Sequence, residues 1–180
     1  MTSRVLAVFA VLLILPFSGA GAGAEPTGTA TAKDLAGVWK LDREASDSVA
    51  PMLERMDAPW IARRMADSMS PTMTVTALPD GRLHIRNENP IRTTEQELPL
   101  DGVAREAQDA MDRKVVRTAS WDDGHLVVTS RNYVEAGRIV SVESTWTRSG
   151  DTLVIANRID PDGDALIIRR VFQREPEAGR

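Results

Sequence analysis

The composition describes a mildly acidic chain with room for a single domain. It has 180 residues, 22 lysines and arginines against 26 aspartates and glutamates, and a formal net charge of −4 at pH 7. Such a charge does not favour binding to nucleic acid or to an anionic membrane. The sequence contains no cysteine, which excludes disulfide bonds and lipid attachment through a cysteine thiol.

Residues 1–24 follow the pattern of a secretory signal peptide. Arg4 precedes the apolar run 5–15, and small residues then lead to the cleavage pattern Ala22-Gly23-Ala24. The run is too short to span a bilayer, which takes roughly 20 residues. We therefore expect a signal peptide that is removed, export to the periplasm or the extracellular space, and no stable membrane insertion after cleavage. Residues 25–33 are small and polar, which predicts a flexible leader.

The pattern after a first strand within 34–42 favours two short amphipathic helices, at about 48–56 and 59–69. Ser46-Asp47-Ser48 can cap the first helix, and Pro59 suits the first turn of the second. Apolar residues then recur at a spacing of four, which places them on one helix face. Methionine adapts to irregular shapes, so this face either gates a cavity or covers one end of the fold as ordinary core. The candidate portal residues are Met52, Met56, Trp60 and Met65.

From Pro71 onward the hydrophobic period is two, which predicts strands separated by turn signals such as Pro79-Asp80-Gly81. The predicted strands are 72–78, 82–87, 91–98, 103–108 (which could also be one helical turn), 114–121, 125–133, 138–148, 152–159 and 164–173. Strands joined in sequence by short turns form an antiparallel meander, and closure into a barrel removes its edges. We therefore predict an all-β fold over 34–174, a closed antiparallel up-and-down barrel of about ten strands. The tail at 175–180 is predicted to be disordered.

Three short motifs carry a resemblance to a known superfamily. Gly37-Val38-Trp39-Lys40-Leu41 resembles the opening strand of lipocalins and fatty-acid-binding proteins, the calycin superfamily. In fatty-acid-binding proteins, too, a helix–turn–helix separates the first strand from the others. Thr145-Trp146-Thr147-Arg148 resembles their strand with an inward arginine, and Arg170-Val171-Phe172 resembles their final Arg-x-Tyr with phenylalanine in place of tyrosine. The chain also resembles the lipocalin-like proteins that bacteria export.

The resemblance implies a carrier that holds a fatty acid or similar hydrophobic carboxylate in the barrel cavity, with Arg148 and Arg170 as the pair that binds the carboxylate head group. Strand parity agrees, because Trp146 and Arg148 share the more apolar face of their strand. One guanidinium can bind a carboxylate through two parallel hydrogen bonds. The candidate ligand-binding residues are Arg148, Arg170, Phe172, Trp146, Ile155 and Asn157. Gly37 and Trp39 are assigned to closure of the barrel.

A structural role for the same arginines is the alternative. Arg170 or Arg174 could stack on Trp39 across the closed end of the barrel, which needs no ligand. An internal salt bridge with Glu143 or Asp151 would also neutralise a buried guanidinium.

Signals for catalysis or metal binding are weak. No serine lies in a Gly-x-Ser-x-Gly elbow, and His84 and His125 are too few for a zinc site. The acidic stretch 160–164 lacks the rest of a calcium loop, so we interpret it as a hairpin turn. We therefore expect no cofactor, no metal site and no catalytic residue.

Two further hypotheses stay open beside the carrier. One is a cofactor-free lipid isomerase or hydratase, whose acid–base group would have to be His84, Asp112 or Glu143. The other is a structural or interaction barrel filled by its own side chains. The sequence carries no signal for the identity of the ligand or for an oligomeric state.

Overall fold

The computed structural model describes residues 31–55, 57–109, 112–133, 139–160 and 165–176. Within them the chain forms ten strands and three short helices. The helices are α1 (Ala32–Leu35), α2 (Ala50–Arg55) and α3 (Trp60–Ala66). The strands are β1 (Gly37–Asp42), β2 (Thr72–Ala77), β3 (Leu83–Glu88), β4 (Thr93–Leu98), β5 (Arg105–Gln108), β6 (Lys114–Asp122), β7 (His125–Tyr133), β8 (Ile139–Ser149), β9 (Thr152–Asp160) and β10 (Leu166–Arg174).

All ten strands belong to one antiparallel sheet. Neighbours in sequence pair with each other, and β1 bonds to β2 on one side and to β10 on the other, which curls the sheet round. The predicted fold class is confirmed: the chain is all-β, with up-and-down strands and helices after the first strand. The ladder runs from β4 round to β5 and stops there, since no ladder joins these two strands within the described residues. Within these residues the sheet is therefore not closed by backbone hydrogen bonds, contrary to our expectation. Its two edge strands, β4 and β5, face each other across a gap.

Burial alternates along the strands, which matches the hydrophobic period of two in the sequence. On β3, Leu83 and Ile85 are buried while Arg86 is exposed, as a period of two requires. The turn between β6 and β7 has Asp123 and Gly124 at φ 45° and 77°, a pair of positive values that matches the twist of a tight hairpin. The segment at 103–108, for which a helical turn was the alternative, contains strand β5.

The main hydrophobic core fills one end of the curled sheet. Trp39 on β1 is fully buried there, opposite Met73 on β2 and Arg174 on β10. Around it lie the buried side chains Leu35, Leu41, Val75, Leu83, Ile85, Leu98, Ala119, Leu126, Val128, Trp146, Leu153, Ile155 and Phe172. We call this end the closed end, and the opposite end, over which α2 packs, the helix end.

The boundaries at both termini of the domain differ from the prediction. The leader was expected to extend to residue 33, but α1 begins at Ala32, where Thr31 and Asp34 bond reciprocally as a capping box. The tail was expected to begin at Glu175, yet the Glu175 amide donates to the Val38 carbonyl at 2.8 Å. Residues 1–24 and 177–180 lie outside the described part of the chain.

The helix pair exists as predicted but both helices are shorter. α2 begins at Ala50 rather than 48, because the Ser48 hydroxyl and the Val49 amide donate to the Asp67 carboxylate at 2.5 and 2.9 Å. α3 ends at Ala66 rather than 69, because the hydroxyl and the amide of Ser68 both turn back to the Met65 carbonyl.

Candidate functional site

Three of the predicted ligand-binding residues form one row across the inner face of the sheet. Trp146 on β8 lies opposite Ile155 on β9, which lies opposite Arg170 on β10. Directly opposed residues of antiparallel strands point to the same face. Trp146 and Ile155 are buried and Arg170 is partly buried, so the row leads from the hydrophobic core towards a charged group.

The two neighbouring rows contain the next candidates. Towards the helix end, Asn157 lies opposite Ser144, whose hydroxyl donates to the Asn157 side-chain oxygen at 2.6 Å. Towards the closed end, the buried Phe172 lies opposite Leu153. The structure therefore brings five of the six predicted ligand-binding residues together on the inner face of β8–β10.

Arg170 lies where the inner face meets the helix end. One of its terminal nitrogens donates to the Asp47 backbone carbonyl at 2.8 Å. Burial lowers the pKa of the Arg170 guanidinium, while the carboxylates of Asp67 and Asp47 act in the opposite direction. The guanidinium is thus partly dehydrated but stays close to two acidic groups.

A crevice of about 670 Å³ opens beside Arg170 at the helix end. Its lining is mostly polar and consists of Leu41, Asp42, Arg43, Glu44, Ser46, Asp47, Ser48, Asp67, Ser70 and Arg170. Four carboxylates and two guanidiniums line it, so an apolar chain would not be stabilised there. The apolar surface next to Arg170 is instead the inner face that holds Ile155 and Trp146.

The indole of Trp146 has a buried polar group that is not satisfied. The side chain is 8% exposed, and its Nε1 atom has no hydrogen-bond partner within the described residues. Buried polar groups are nearly always paired, because an unpaired one costs about 1–3 kcal/mol. An acceptor supplied by a bound molecule would satisfy this N–H.

The predicted pairing of Arg148 with Arg170 does not match the contacts. Arg148 donates from Nε to the Gly150 carbonyl at 2.8 Å and from a terminal nitrogen to the Asp34 carbonyl at 2.6 Å. These bonds tie β8 to α1 at the closed end. The alternation of side chains along the strand predicted that Arg148 faces inward. It lies near the end of β8, however, where a long side chain can turn away from the inner face towards the edge of the closed end.

The residue that stacks on Trp39 is Arg174. Its guanidinium carbon lies 4.7 Å from the ring centroid, and a terminal nitrogen donates to the Ala36 carbonyl at 2.8 Å. Gly37 makes room for this stack, since a Cβ there would lie 3.2 Å from the same carbon, and its φ of 148° disfavours other residues. The sequence left open whether Arg170 or Arg174 stacks on Trp39, and in the structure it is Arg174.

The candidate portal residues divide between core and surface. Met52 is partly buried and packs against Ile159 and Ile168 on the inner face at the helix end. Trp60 and Met65 on α3 are 63% and 41% exposed. Met56 lies outside the described residues. Met52 thus covers the helix end as ordinary core, whereas the α3 residues face solvent.

Of the groups proposed for acid–base catalysis, His84 and Glu143 lie on the outer face of the sheet and Asp112 lies between β5 and β6. His84 lies 3.6 Å from Glu95, Asp112 pairs with Arg92 at 2.6 Å, and Glu143 is exposed. None of the three lines the inner face near Trp146.

In the described part of the chain, no group of three or more His, Cys, Asp or Glu side chains could hold a metal ion. No described helix is long and apolar enough to cross a membrane.

Arg117 is an inward-facing residue that the sequence analysis missed. It lies on β6 opposite Ser130 on β7, and between the buried Val115 and Ala119 on the same face. The alternating pattern of β6 could have predicted that Arg117 faces inward. Its contacts could not have been predicted, because the side chains that meet it come from strands distant in sequence.

The curled ten-stranded sheet with short helices after the first strand has the fold of the fatty-acid-binding proteins. Two solved structures show the likeness. Lipid binding protein 8 of Caenorhabditis elegans matches with a TM-score of 0.71 at 17% identity, over 82% of this chain and 100% of that chain. Fatty-acid-binding protein 1 of Echinococcus granulosus matches with a TM-score of 0.64 at 20% identity, over 79% of this chain and 98% of that chain.

The sequence comparison points to proteins of the same kind over a shorter stretch. Fatty acid-binding protein homolog 2 of Echinococcus granulosus is 28% identical over 90 residues, which are 50% of this chain and 65% of that protein. The match therefore spans less than two thirds of the relative's length. No protein-family model matches the chain.

Proposed function

We propose that this protein is a carrier that binds a fatty acid or a similar hydrophobic carboxylate on the inner face of β8–β10. The observation that carries the proposal is the row from Trp146 to Arg170, in which a buried, unpaired indole N–H and a partly dehydrated guanidinium face the same side. Its fold is also that of proteins named for fatty-acid and lipid binding.

The chemistry of the row matches a carboxylate better than an alcohol or an amine. Indole and guanidinium groups donate hydrogen bonds and do not accept them. An amine would be repelled by Arg170, and an alcohol would bring no charge to compensate the guanidinium. Ile155 between the two donors provides apolar surface for the first part of an alkyl chain.

Replacing Trp146 by phenylalanine tests the proposal with little change of shape. We expect the affinity for hexadecanoic acid to fall by about 1.5 kcal/mol, the lower end of the range for a hydrogen bond to a charged group. The affinity for hexadecanol should fall less, because a neutral oxygen is a weaker acceptor. Isothermal titration of both ligands measures the difference.

Trp60→Phe is the matched control, because Trp60 lies on the surface of α3 and should leave both affinities unchanged. Native mass spectrometry of the purified protein would identify any lipid that stays bound. If the wild-type protein binds neither ligand, or if Trp146→Phe leaves acid binding unaltered, the proposed site is wrong.

We further propose that the carrier acts outside the cytoplasm. The support is the signal-peptide pattern of Arg4, the apolar run 5–15 and Ala22-Gly23-Ala24. We expect the mature chain to begin at Glu25 and to be recovered in the soluble exported fraction. N-terminal sequencing of the expressed protein checks this, and recovery of residues 1–24 in a membrane fraction would contradict it.

A further inference from the structure

The gap between β4 and β5 is bridged by side chains instead of a backbone ladder. Arg117 reaches across it from β6, donating from one terminal nitrogen to the Gln96 side-chain oxygen on β4. At the helix end of the gap, Arg92 and Asp112 form a two-point ion pair at 2.6 and 2.8 Å. The gap is therefore a lateral opening in the sheet, with Arg117 inside it.

The contacts of Arg117 are to neutral groups. Besides Gln96, its Nε donates to the Ser130 hydroxyl at 3.1 Å and its other terminal nitrogen to the Gln108 carbonyl at 3.2 Å. Burial lowers the pKa of the Arg117 guanidinium, and Asp109 acts in the opposite direction. The Asp109 carboxylate itself is bonded to Arg113 at 2.8 Å. The carboxylates of Asp109 and Asp112 line the same gap, but the hydrogen bonds that Arg117 makes within the described residues all go to neutral oxygens.

The hydrogen bonds leave an unusual set of donors. A guanidinium has five N–H groups, and three bonds from three different nitrogens leave one N–H on each terminal nitrogen. A carboxylate that approaches the end of a guanidinium accepts one hydrogen bond from each terminal nitrogen. Because the Gln96 and Ser130 oxygens accept from Arg117, the Gln96 amide nitrogen and the Ser130 hydroxyl proton remain as donors. The cluster of Arg117, Gln96 and Ser130 therefore offers donors to an anion.

An apolar crevice lies against this cluster on the side of the closed end. It has a volume of about 190 Å³ and is lined in part by Leu98, Pro99, Val103, Ala107, Ala119 and Arg117. At roughly 30 Å³ for each water-sized group, this is room for about six such groups. Besides Arg117, charged residues at its edge also line it: Glu97 is paired with Arg82, Arg105 is paired with Asp101, and Glu106 is exposed.

We propose that the β4–β5 gap is a second ligand site, which takes a small apolar carboxylic acid with its carboxylate on Arg117 and its hydrocarbon end in the crevice formed by Leu98, Pro99 and Val103. The volume sets the size of the ligand, the donors set its charge, and the lining sets its apolar tail. The site goes beyond the proposed function, since it uses neither Arg170 nor the row that leads to Trp146.

Hexanoate and hexanol are the probes that test this site. Binding is followed by NMR with hexanoate labelled with ¹³C at the carboxyl carbon, on the wild-type protein and on Arg117→Gln. We expect the substitution to weaken hexanoate binding by about 10- to 100-fold, the equivalent of a hydrogen bond to a charged group, and to leave the weaker binding of hexanol unchanged. The ¹³C shift of the carboxyl carbon should show that bound hexanoate stays ionised to a lower pH than free hexanoate.

Arg86→Gln is the matched control, because Arg86 is an exposed arginine on β3 that is paired with Glu88 at 2.7 Å and does not line the crevice. It should leave hexanoate binding unchanged. Hexadecanoic acid binding to Arg117→Gln reports that the variant is folded and that the other site is intact. Arg117→Lys keeps the charge without the paired N–H groups, and should retain part of the affinity if Gln disturbs folding.

The outcomes separate the two sites. Loss of hexanoate binding in Arg117→Gln with hexadecanoic acid binding retained supports the second site. Equal hexanoate binding by wild type, Arg117→Gln and Arg117→Lys overturns it, as does equal weakening by Arg86→Gln. Failure of hexadecanoic acid to bind the wild-type protein would count against the proposed carrier function and would leave the hexanoate result to be judged by itself.

Discussion

Replacing Trp39 by alanine is expected to lower the free energy of unfolding by about 3–5 kcal/mol, the range for truncating a buried aromatic side chain. A loss of this size is a large part of the total stability of a domain, which is about 5–15 kcal/mol. Urea denaturation measures it as a lower midpoint with an unchanged slope.

Three interactions meet at Trp39, which explains the size of the effect. The ring is fully buried in the core of the closed end, and Arg174 lies over it at 4.7 Å. Its Nε1 donates to the Leu35 carbonyl at 2.9 Å, which holds α1 against β1. Truncation leaves a cavity, an unsatisfied carbonyl and a guanidinium without its aromatic partner.

Trp60→Ala is the matched control for this prediction. The same atoms are removed, but from a side chain that is 63% exposed, so the change should lie within about 0.5 kcal/mol. Trp39→Phe keeps a ring under Arg174 and should fall between the two. A midpoint for Trp39→Ala as high as that of Trp60→Ala would show that the closed end does not depend on the stack.

The strands and the helix pair could be predicted because their signals are local. The period of two after Pro71 located the sheet, and the turn residues separated its strands. The start of α2 was predicted too early because it is set by Asp67, which bonds to Ser48 and Val49 from the other helix. The end of α3 was predicted too late because Ser68 turns back to the Met65 carbonyl, a local contact that the helical spacing does not reveal. The gap between β4 and β5 could not be predicted, since it depends on how far the sheet curls.

The candidate site could be predicted as a face but not as a set of contacts. The sequence listed Trp146, Ile155 and Arg170 as candidate ligand-binding residues, and the structure places them opposite one another in one row, since facing positions follow from a fixed period. It could not tell that Arg148 turns out to the carbonyls of α1 and Gly150, because a long side chain at a strand end has several paths. Arg117 was missed because its partners come from β4, β5 and β7.

Replacing Arg170 by glutamine is expected to weaken hexadecanoic acid binding by about 1.5–3 kcal/mol, the range for a hydrogen bond to a charged group. Hexadecanol binding should weaken much less, because no charge is lost from that complex. Isothermal titration of both ligands against wild type and variant measures the difference.

Stability should change little in the same variant. Burial already disfavours the charged form of Arg170, and the neutral amide of glutamine removes that cost while giving up the attraction of Asp47 and Asp67. A melting curve without ligand is therefore expected to overlay that of the wild type to within about 1 kcal/mol.

Arg148→Gln makes the same chemical change in the other arginine that the sequence assigned to the head group. Its guanidinium is bonded to the carbonyls of Asp34 and Gly150, so this variant should bind acid and alcohol as the wild type does and should lose stability instead. If Arg148→Gln weakens acid binding as much as Arg170→Gln, the pair acts together despite its separate contacts. If Arg170→Gln weakens acid and alcohol equally and melts at a lower temperature, Arg170 is a structural residue that anchors the segment around Asp47, and the carboxylate lies elsewhere.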